Sequence, residues 1–153
     1  MTDTPGQYED FFNSQDELHA LFTRTLEGHL GPEGITVPQA FTLKTLKERD
    51  GPCRMSDLAA MRFHSPASMT GIVDRLIHLG LVERGSDAND RRVILLSLTE
   101  QGTAILASID KTVQGMMRRF FESMPEKDRK TMVRVFLRLK DFFKEEINAQ
   151  KKT

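Results

Sequence analysis

The chain has 153 residues, of which 39% are hydrophobic and 29% charged, and its 22 basic and 22 acidic side chains give a formal net charge of zero. This composition is typical of a globular protein, and the length suits one domain. No apolar run approaches the roughly 18 residues of a membrane-spanning helix, and the polar, acidic start does not resemble a signal peptide. The single cysteine excludes an intramolecular disulfide and fits a reducing compartment, so we expect a cytoplasmic protein.

Two helices are predicted in the first third of the chain. After residues 1–7, which we expect to be disordered, a helix spans about residues 8–30. Its apolar stripe consists of Phe11, Leu18, Leu21, Phe22 and Leu26. Glycines and a proline at positions 28–34 interrupt this pattern, and a second helix begins at Thr36 or Val37. Its inward side chains are Phe41, Leu43 and Leu46, and its outward ones include Lys44 and Lys47.

A helix-turn-helix is predicted in the middle of the chain. The first helix covers about residues 55–63, with Ser56 as its N-cap, and a short turn around His64 follows. The second helix opens with Ser65, whose hydroxyl can accept a bond from a free N–H group. Pro66 takes the first helical position, where a missing N–H costs nothing. Two helices joined this closely cross at a steep angle.

The second helix of this pair has two unlike faces. Its apolar positions follow the i, i+3, i+4, i+7 rule and are Met69, Ile72, Val73, Leu76 and Ile77. The opposite face carries Ala67, Ser68, Thr70, Gly71, Asp74, Arg75 and His78. Because the first half of this face has small side chains and free backbone N–H groups, it can enter the major groove of DNA. An ordinary surface helix is the competing interpretation.

A β-hairpin wing is predicted next. Gly80 caps the helix, and residues 81–84 and 93–98 are rich in strand-forming side chains. The loop between them has turn composition and ends in Arg91 and Arg92. Arginine on a hairpin beside a groove-reading helix can enter the narrow minor groove, where the potential is most negative. In isolation the two arginines would be interpreted as a solvated surface pair.

Two further helices are predicted from residue 103 almost to the end of the chain, separated at Pro125. Their apolar positions are Ile105, Ile109, Val113, Met116, Met117, Phe120 and Met124, then Met132, Val133, Phe136, Leu139, Phe142, Phe143 and Ile147. A winged core of about 50 residues cannot bury two arms this apolar, so we expect them to pack on a second subunit. A two-fold dimer would hold two reading helices about 34–36 Å apart, one turn of DNA.

Motifs for catalysis or metal binding are missing from the sequence. It contains no nucleophile elbow, Walker loop, GxGxxG or HExxH motif, so we expect neither an enzyme nor a cofactor. His19, His29, His64 and His78 are scattered without an i, i+4 pair, so no metal site is expected. Cys53 lies beside Arg54, which can lower the pKa of a thiol, but we favour an inert, buried cysteine.

The motif residues around the wing are Asp90, Arg91 and Arg92, with Leu-Thr-Glu-Gln-Gly at positions 98–102 and Arg-Leu-Ile-His-Leu-Gly-Leu-Val-Glu-Arg at positions 75–84. This pattern, its spacing and the helical arms on both sides resemble the MarR family of winged-helix regulators. The resemblance implies a mainly α (α+β) fold in one domain over residues 1–153. A winged helix-turn-helix core with a two-stranded wing would occupy about residues 36–102, and helices at about 8–30 and 103–148 would form the dimerisation region.

The resemblance also implies which residues contact DNA. Those expected in the major groove are Ser65, Pro66, Ala67, Ser68 and Thr70. Arg75 aligns with a phosphate contact, and Arg92, beside Arg91, aligns with the wing arginine that enters the minor groove. Asp90 aligns with the acidic residue that orients the wing. The implied function is that of a homodimeric transcriptional repressor on a pseudo-palindromic operator, released in many relatives by a small-molecule effector.

Two other functions fit the same sequence: a winged-helix module for protein–protein contact, and a sensor of a ligand, a redox change or a metal. The charge balance counts mildly against DNA binding, since residues 54–102 carry six arginines and six acidic side chains, whereas DNA-binding faces are usually basic. Candidate effector-pocket residues implied by the resemblance are His19, Phe22, Leu26, His29 and Met61. Each of them also fits simple packing or surface exposure.

Overall fold

The computed structural model describes residues 5–49, 51–61, 65–87, 90 and 92–150, without the side chains of Pro5 and Pro66. In these ranges the chain is mainly helical. The elements are α1 (Pro5–Leu30), a short 3-10 helix (Gly31–Glu33), α2 (Val37–Glu48), β1 (Cys53–Arg54), α3 (Met55–Met61), α4 (Pro66–His78), β2 (Val82–Ser86), β3 (Ile94–Leu98), α5 (Glu100–Ser123) and α6 (Glu126–Gln150). The chain divides into two compact units, Met1–Thr112 and Val113–Thr153.

The first unit contains the hydrophobic core. Its most deeply buried side chains come from α2, α3, α4, the sheet and the residue before β2, and are Leu43, Leu58, Met69, Val73, Leu76, Leu81 and Leu96. Helix α2 begins after Thr36, as predicted, and the side-chain oxygen of Gln39 accepts the N–H of Thr36 at 2.9 Å. This bond helps to fix the start of α2, because it satisfies a backbone donor that the helix itself cannot pair.

The three strands form an antiparallel sheet in the order β1-β3-β2. The wing strands β2 and β3 were predicted, whereas β1 was not. Cys53 and Arg84 both lie opposite Leu96, one on each side of it. Because directly opposite residues of an antiparallel sheet share a face, these three side chains lie on the same face as the core. The sheet thus connects the chain before α3 with the base of the wing.

The starts of two helices differ from the prediction. Residues 5–7, expected to be disordered, belong to α1, which begins at Pro5 because proline is already set for the first helical turn. Ser56 was wrongly predicted as an N-cap: α3 begins at Met55, and the Ser56 hydroxyl donates to the Asp57 carboxylate at 3.5 Å. The predicted end of α3 at residue 63 and the turn around His64 lie outside the described residues.

Helix α1 and the second unit expose much apolar surface. The exposed large side chains of α1 are Tyr8, Phe11, Phe12, Leu18 and Leu21, and those of α6 include Val133, Phe136, Leu137, Phe142, Phe143 and Ile147. Helix α6, which is described along its whole length, has no buried residue. None of the described helices combines the length and apolarity needed to cross a bilayer.

Candidate nucleic-acid interface

Helix α4 begins as the sequence predicts. Ser65 has extended backbone angles (φ −66°, ψ 151°), and its hydroxyl accepts the N–H of Ser68 at 3.2 Å. Pro66 occupies the first helical position. The cap satisfies the Ser68 N–H, Pro66 has no N–H, and the Met69 N–H is bonded to the Ser65 carbonyl at 3.0 Å, so the positive end of the helix dipole is the main attraction for a ligand such as a phosphate.

The two faces of α4 are also as predicted. Met69, Val73 and Leu76 have no exposed surface, whereas Ile72 and Ile77 are half-buried. The exposed face consists of Ala67, Ser68, Thr70, Gly71, Asp74, Arg75 and His78, with Ser65 exposed just before it. Along its first two turns this face is slim enough for the helix backbone to approach a flat surface closely.

The end of α4 is joined to the start of α5 by Thr99. The Thr99 hydroxyl donates to the Gly80 carbonyl at 2.7 Å and accepts the Gly102 N–H at 3.0 Å. The Thr99 N–H donates to the Leu81 carbonyl at 3.1 Å. Gly80 itself has φ 71°, a left-handed conformation that suits a glycine after a helix. These bonds explain why a Leu-Thr-Glu-Gln-Gly motif follows the wing, which the sequence alone did not explain.

The wing is a regular hairpin at its base. Strands β2 and β3 pair from Val82 opposite Leu98 to Ser86 opposite Ile94. The prediction ended the first strand at residue 84, but Gly85 and Ser86 continue it. Glycine and serine carry weak strand signals, and here they are held by the ladder to β3. The connecting loop is therefore shorter than predicted.

Asp90 organises the tip of the wing. Its carboxylate accepts the Arg92 N–H at 2.9 Å, and its backbone carbonyl accepts the Val93 N–H at 2.9 Å. The Val93 carbonyl in turn accepts the Asp87 N–H at 3.2 Å. An aspartate that bonds the backbone two residues ahead forms an Asx turn. Arg92 is exposed at this turn, whereas Arg91, also predicted to contact DNA, lies outside the described residues.

Two ion pairs attach the wing to its surroundings, and sequence reasoning missed both. Asp74 on α4 pairs with Arg84 on β2, and Arg54 on β1 pairs with Asp87 at 3.7 Å. Within the described part of the chain, Arg75 and Arg92 form no salt bridge. These pairs neutralise two acidic side chains and two arginines of the segment, which leaves its charge balance unchanged. The positive charge of Arg75 and of Arg92 remains available at the surface.

Cys53, the other reactive side chain considered, is buried in the first unit. Burial raises the pKa of its thiol and Asp57 raises it further, while Arg49 acts in the opposite direction. This supports the inert, buried interpretation, because a thiol is a poor nucleophile when it stays protonated. No group of three or more His, Cys, Asp or Glu side chains suited to a metal ion occurs among the described residues.

The candidate effector residues do not come together in a described cavity. His19 and His29 are exposed, Phe22 and Met61 are half-buried, and Leu26 is buried. A cavity of about 230 Å³ in the first unit is lined instead by Leu46, Lys47, Gly51, Pro52, Ser97, Leu98 and Thr103.

The sequence has recognisable relatives. Residues 33–93 match the sequence model of the MarR family. The HTH-type transcriptional repressor MdtR of Bacillus subtilis is 31% identical over 118 residues, which cover 74% of this chain and 75% of that protein.

The fold has close counterparts among solved structures. A MarR family protein from Bacillus stearothermophilus superposes with a TM-score of 0.82 at 21% identity, covering 94% of this chain and 99% of that one. FabT of Streptococcus pneumoniae, solved in complex with DNA, superposes with a TM-score of 0.73 at 19% identity, covering 88% of this chain and 98% of that one. At these identities the two likenesses show the fold alone.

Proposed function

The chain belongs to the MarR family and is a DNA-binding transcriptional regulator rather than an enzyme. On this premise we propose that it represses transcription by binding, as a homodimer, to a pseudo-palindromic site on double-stranded DNA. The name of MdtR, a repressor, supports the sign of regulation. The observation that carries the proposal is the exposed, small-residue face of α4 together with the exposed Arg92 of the wing, whose guanidinium forms no salt bridge with a described residue.

Helix α4 would read the major groove through its first two turns. Ala67, Ser68 and Thr70 are short and exposed, and they follow the Ser65 cap and Pro66 in the first two turns. Short side chains let the helix backbone approach the base edges, while the positive end of the helix dipole favours a phosphate. Arg75, further along the same face, is long enough to reach the DNA backbone. Direct base readout would be sparse, and DNA shape would contribute to specificity.

The wing would reach the neighbouring minor groove. Arg92 and Arg91 supply the positive charge, and the Asx turn of Asp90 fixes the backbone from which the Arg92 side chain leaves. Asp90 therefore acts as a positioning residue rather than as a direct contact. A carboxylate is repelled by phosphates and is therefore unsuited to direct contact with the DNA backbone. Its bond to the Arg92 N–H instead gives Asp90 a structural role in the turn.

The homodimer is supported by the apolar surface of α1 and of α6. Side chains such as Phe11, Phe136 and Phe142 are half or more exposed, which is costly in water and is the usual sign of a missing partner. A second copy of the chain offers the same surfaces and would complete a two-fold assembly.

A small-molecule effector could act on such a dimer only by binding more tightly to the conformation with one spacing of the two α4 helices than to a conformation with another spacing. A repressor of this kind would work in the cytoplasm.

The test is selection of bound duplexes from a random pool by the full-length protein. We expect enrichment of a two-fold-symmetric sequence with half-sites about one helical turn apart. Enrichment of an asymmetric sequence would contradict the homodimer. Failure to enrich any duplex at low salt would contradict DNA binding and would favour the protein–protein interaction module.

A further inference from the structure

One ion pair directly links the two parts of the chain that would contact DNA. Asp74 lies on the exposed side of α4, and Arg84 lies on wing strand β2. Both side chains are about half exposed, at 55% and 44%. The contact therefore crosses from the reading helix to the wing at the edge of the core, on the surface rather than inside it.

The sheet register explains why Arg84 points toward α4. Arg84 is directly opposite Leu96, whose other neighbour in the sheet is Cys53, and both of these residues are fully buried. Arg84 thus shares the inward face of the sheet, on which α4 packs, and its guanidinium reaches the rim where Asp74 lies. Thr70, one of the proposed groove residues, stands one turn before Asp74 on the same side of α4.

A second ion pair holds the wing from its other face. Arg54 lies opposite Leu95, whose partner on β2 is Gly85, so Arg54 belongs to the outer face of the sheet. Its guanidinium reaches the Asp87 carboxylate just beyond the end of β2, at 3.7 Å. The wing is therefore in contact with β1 through one ion pair and with α4 through the other.

We propose that Asp74 and Arg84 form a positioning pair that sets the angle between α4 and the wing, so that loss of the Asp74 carboxylate weakens DNA binding. This inference depends on the proposed groove contacts. Simple electrostatics predicts the opposite result, since removing a negative charge from a surface that faces phosphates should strengthen binding. The two effects have different signs, and this makes the proposal testable with a single substitution.

The experiment measures the affinity of the selected duplex over a range of salt concentrations for Asp74→Asn, Arg84→Gln and the double variant. Each single variant is expected to bind about four- to twenty-five-fold more weakly, because an exposed pair is worth about two- to fivefold and occurs twice per dimer. The double variant should bind no more weakly than either single one, since both remove the same interaction. Arg84→Lys, which keeps the charge, should restore most of the affinity.

Glu83→Gln is the matched control. Glu83 is the neighbour of Arg84 on β2, is exposed, points to the other face of the sheet and forms no salt bridge with a described residue. This variant removes one negative charge from the same strand without breaking the pair, so its affinity should equal or exceed that of the wild type. Thermal unfolding of all variants should stay close to the wild type, because exposed pairs contribute little to stability.

The results that would overturn the inference are distinct. If Asp74→Asn binds as tightly as the wild type or more tightly, the pair does not position the helix. If the single losses multiply in the double variant, and Arg84→Gln alone lowers the salt dependence by about two units, one per subunit of the dimer, Arg84 is a phosphate contact instead. If the wild type binds no duplex, the proposed function fails as well. Binding by the wild type with unchanged Asp74→Asn affinity overturns this inference alone.

Discussion

The backbone of Gly102 lies directly against the carbonyl group of Leu81: a Cβ atom built on Gly102 would be 2.0 Å from that oxygen. No side chain fits in this space, and Gly102 is buried in the first turn of α5. The neighbouring atom belongs to the backbone, which cannot turn away as a flexible side chain can. The contact therefore requires glycine for its size rather than for its conformational freedom.

Gly102→Ala should lower the free energy of unfolding by about 1–3 kcal/mol, because an added methyl group must push α5 away from Leu81. The measurement is urea unfolding followed by circular dichroism. Gly115→Ala in the same helix is the control, since its nearest neighbour, an Arg119 nitrogen, lies 3.9 Å from the added Cβ. That control should be neutral or slightly stabilising. Equal stability of both variants would contradict the steric argument.

Gly71 offers the opposite case, in which stability and function should separate. It lies on the exposed face of α4, and nothing lies within 4 Å of a Cβ added to it. Gly71→Ala should therefore raise the free energy of unfolding by about 0.5–1 kcal/mol, through better helix propensity. Thermal unfolding measures this gain.

Gly71→Gln places a long side chain at the same position without disturbing the fold. Its DNA affinity should fall by an amount comparable to a mismatched base pair, about 1–3 kcal/mol, because the helix can no longer approach the groove closely. Binding is measured by fluorescence anisotropy on the selected duplex. Undiminished affinity would mean that this side of α4 does not face DNA.

Arg92→Ala and Arg75→Ala should each weaken operator binding by about 1–3 kcal/mol while leaving thermal unfolding unchanged. Both side chains are exposed and make no salt bridge with a described residue, so their removal costs the fold little. A lost phosphate contact should also flatten the dependence of log K on log salt by about one unit.

The control for these two variants is Arg24→Ala, which removes an exposed arginine from α1, outside the proposed interface. It should leave both affinity and salt dependence unchanged. Asp90→Ala should weaken binding as Arg92→Ala does, since the turn that presents Arg92 loses its side-chain acceptor. If Arg92→Ala and Arg75→Ala both bind like the wild type, the proposed orientation on DNA is wrong.

Cys53 should react slowly with thiol reagents in the native protein and rapidly after unfolding, because it is buried and its pKa is raised. The raised pKa also fixes the direction of a pH effect on stability. The protonated Cys53 thiol makes its full contribution to folding stability below the pKa of an unfolded thiol, about 8.5. This contribution is lost as the pH rises through the higher pKa of the folded state. Relative to Cys53→Ala, the wild type should therefore lose stability at alkaline pH. Fast labelling of the native thiol would contradict the burial of Cys53, and equal stability of the two proteins at alkaline pH would contradict the pH effect.

The parts of the interface that were predictable from sequence depend on short-range signals. The Ser65 cap, the Pro66 start and the buried stripe through Met69, Val73 and Leu76 all follow from residues within a few turns of one another. Helix propensity, capping and periodicity act over that same range. The wing strands were also predicted, but the last two residues of β2 were not. Gly85 and Ser86 pair with β3 although glycine and serine have a low preference for strands.

The parts that were missed depend on contacts between distant positions. Strand β1 has only two residues, too few to show any alternation, and exists because β3 supplies partners for it. The bond from Thr99 to Gly80 spans 19 positions, and the contact of Asp74 with Arg84 requires the sheet register to be known. Neither can be read from a local pattern, because each is decided by how the elements pack.

The two bonds of the Thr99 hydroxyl have a mechanical consequence. They connect the carbonyl of Gly80, just past the last turn of α4, to the first turn of α5 through one small side chain. The end of α4 and the first turn of α5 are thus held together directly by hydrogen bonds. A displacement of the first turn of α5 would therefore act directly on the end of α4, and Thr99→Val, which cannot form either bond, should weaken this connection.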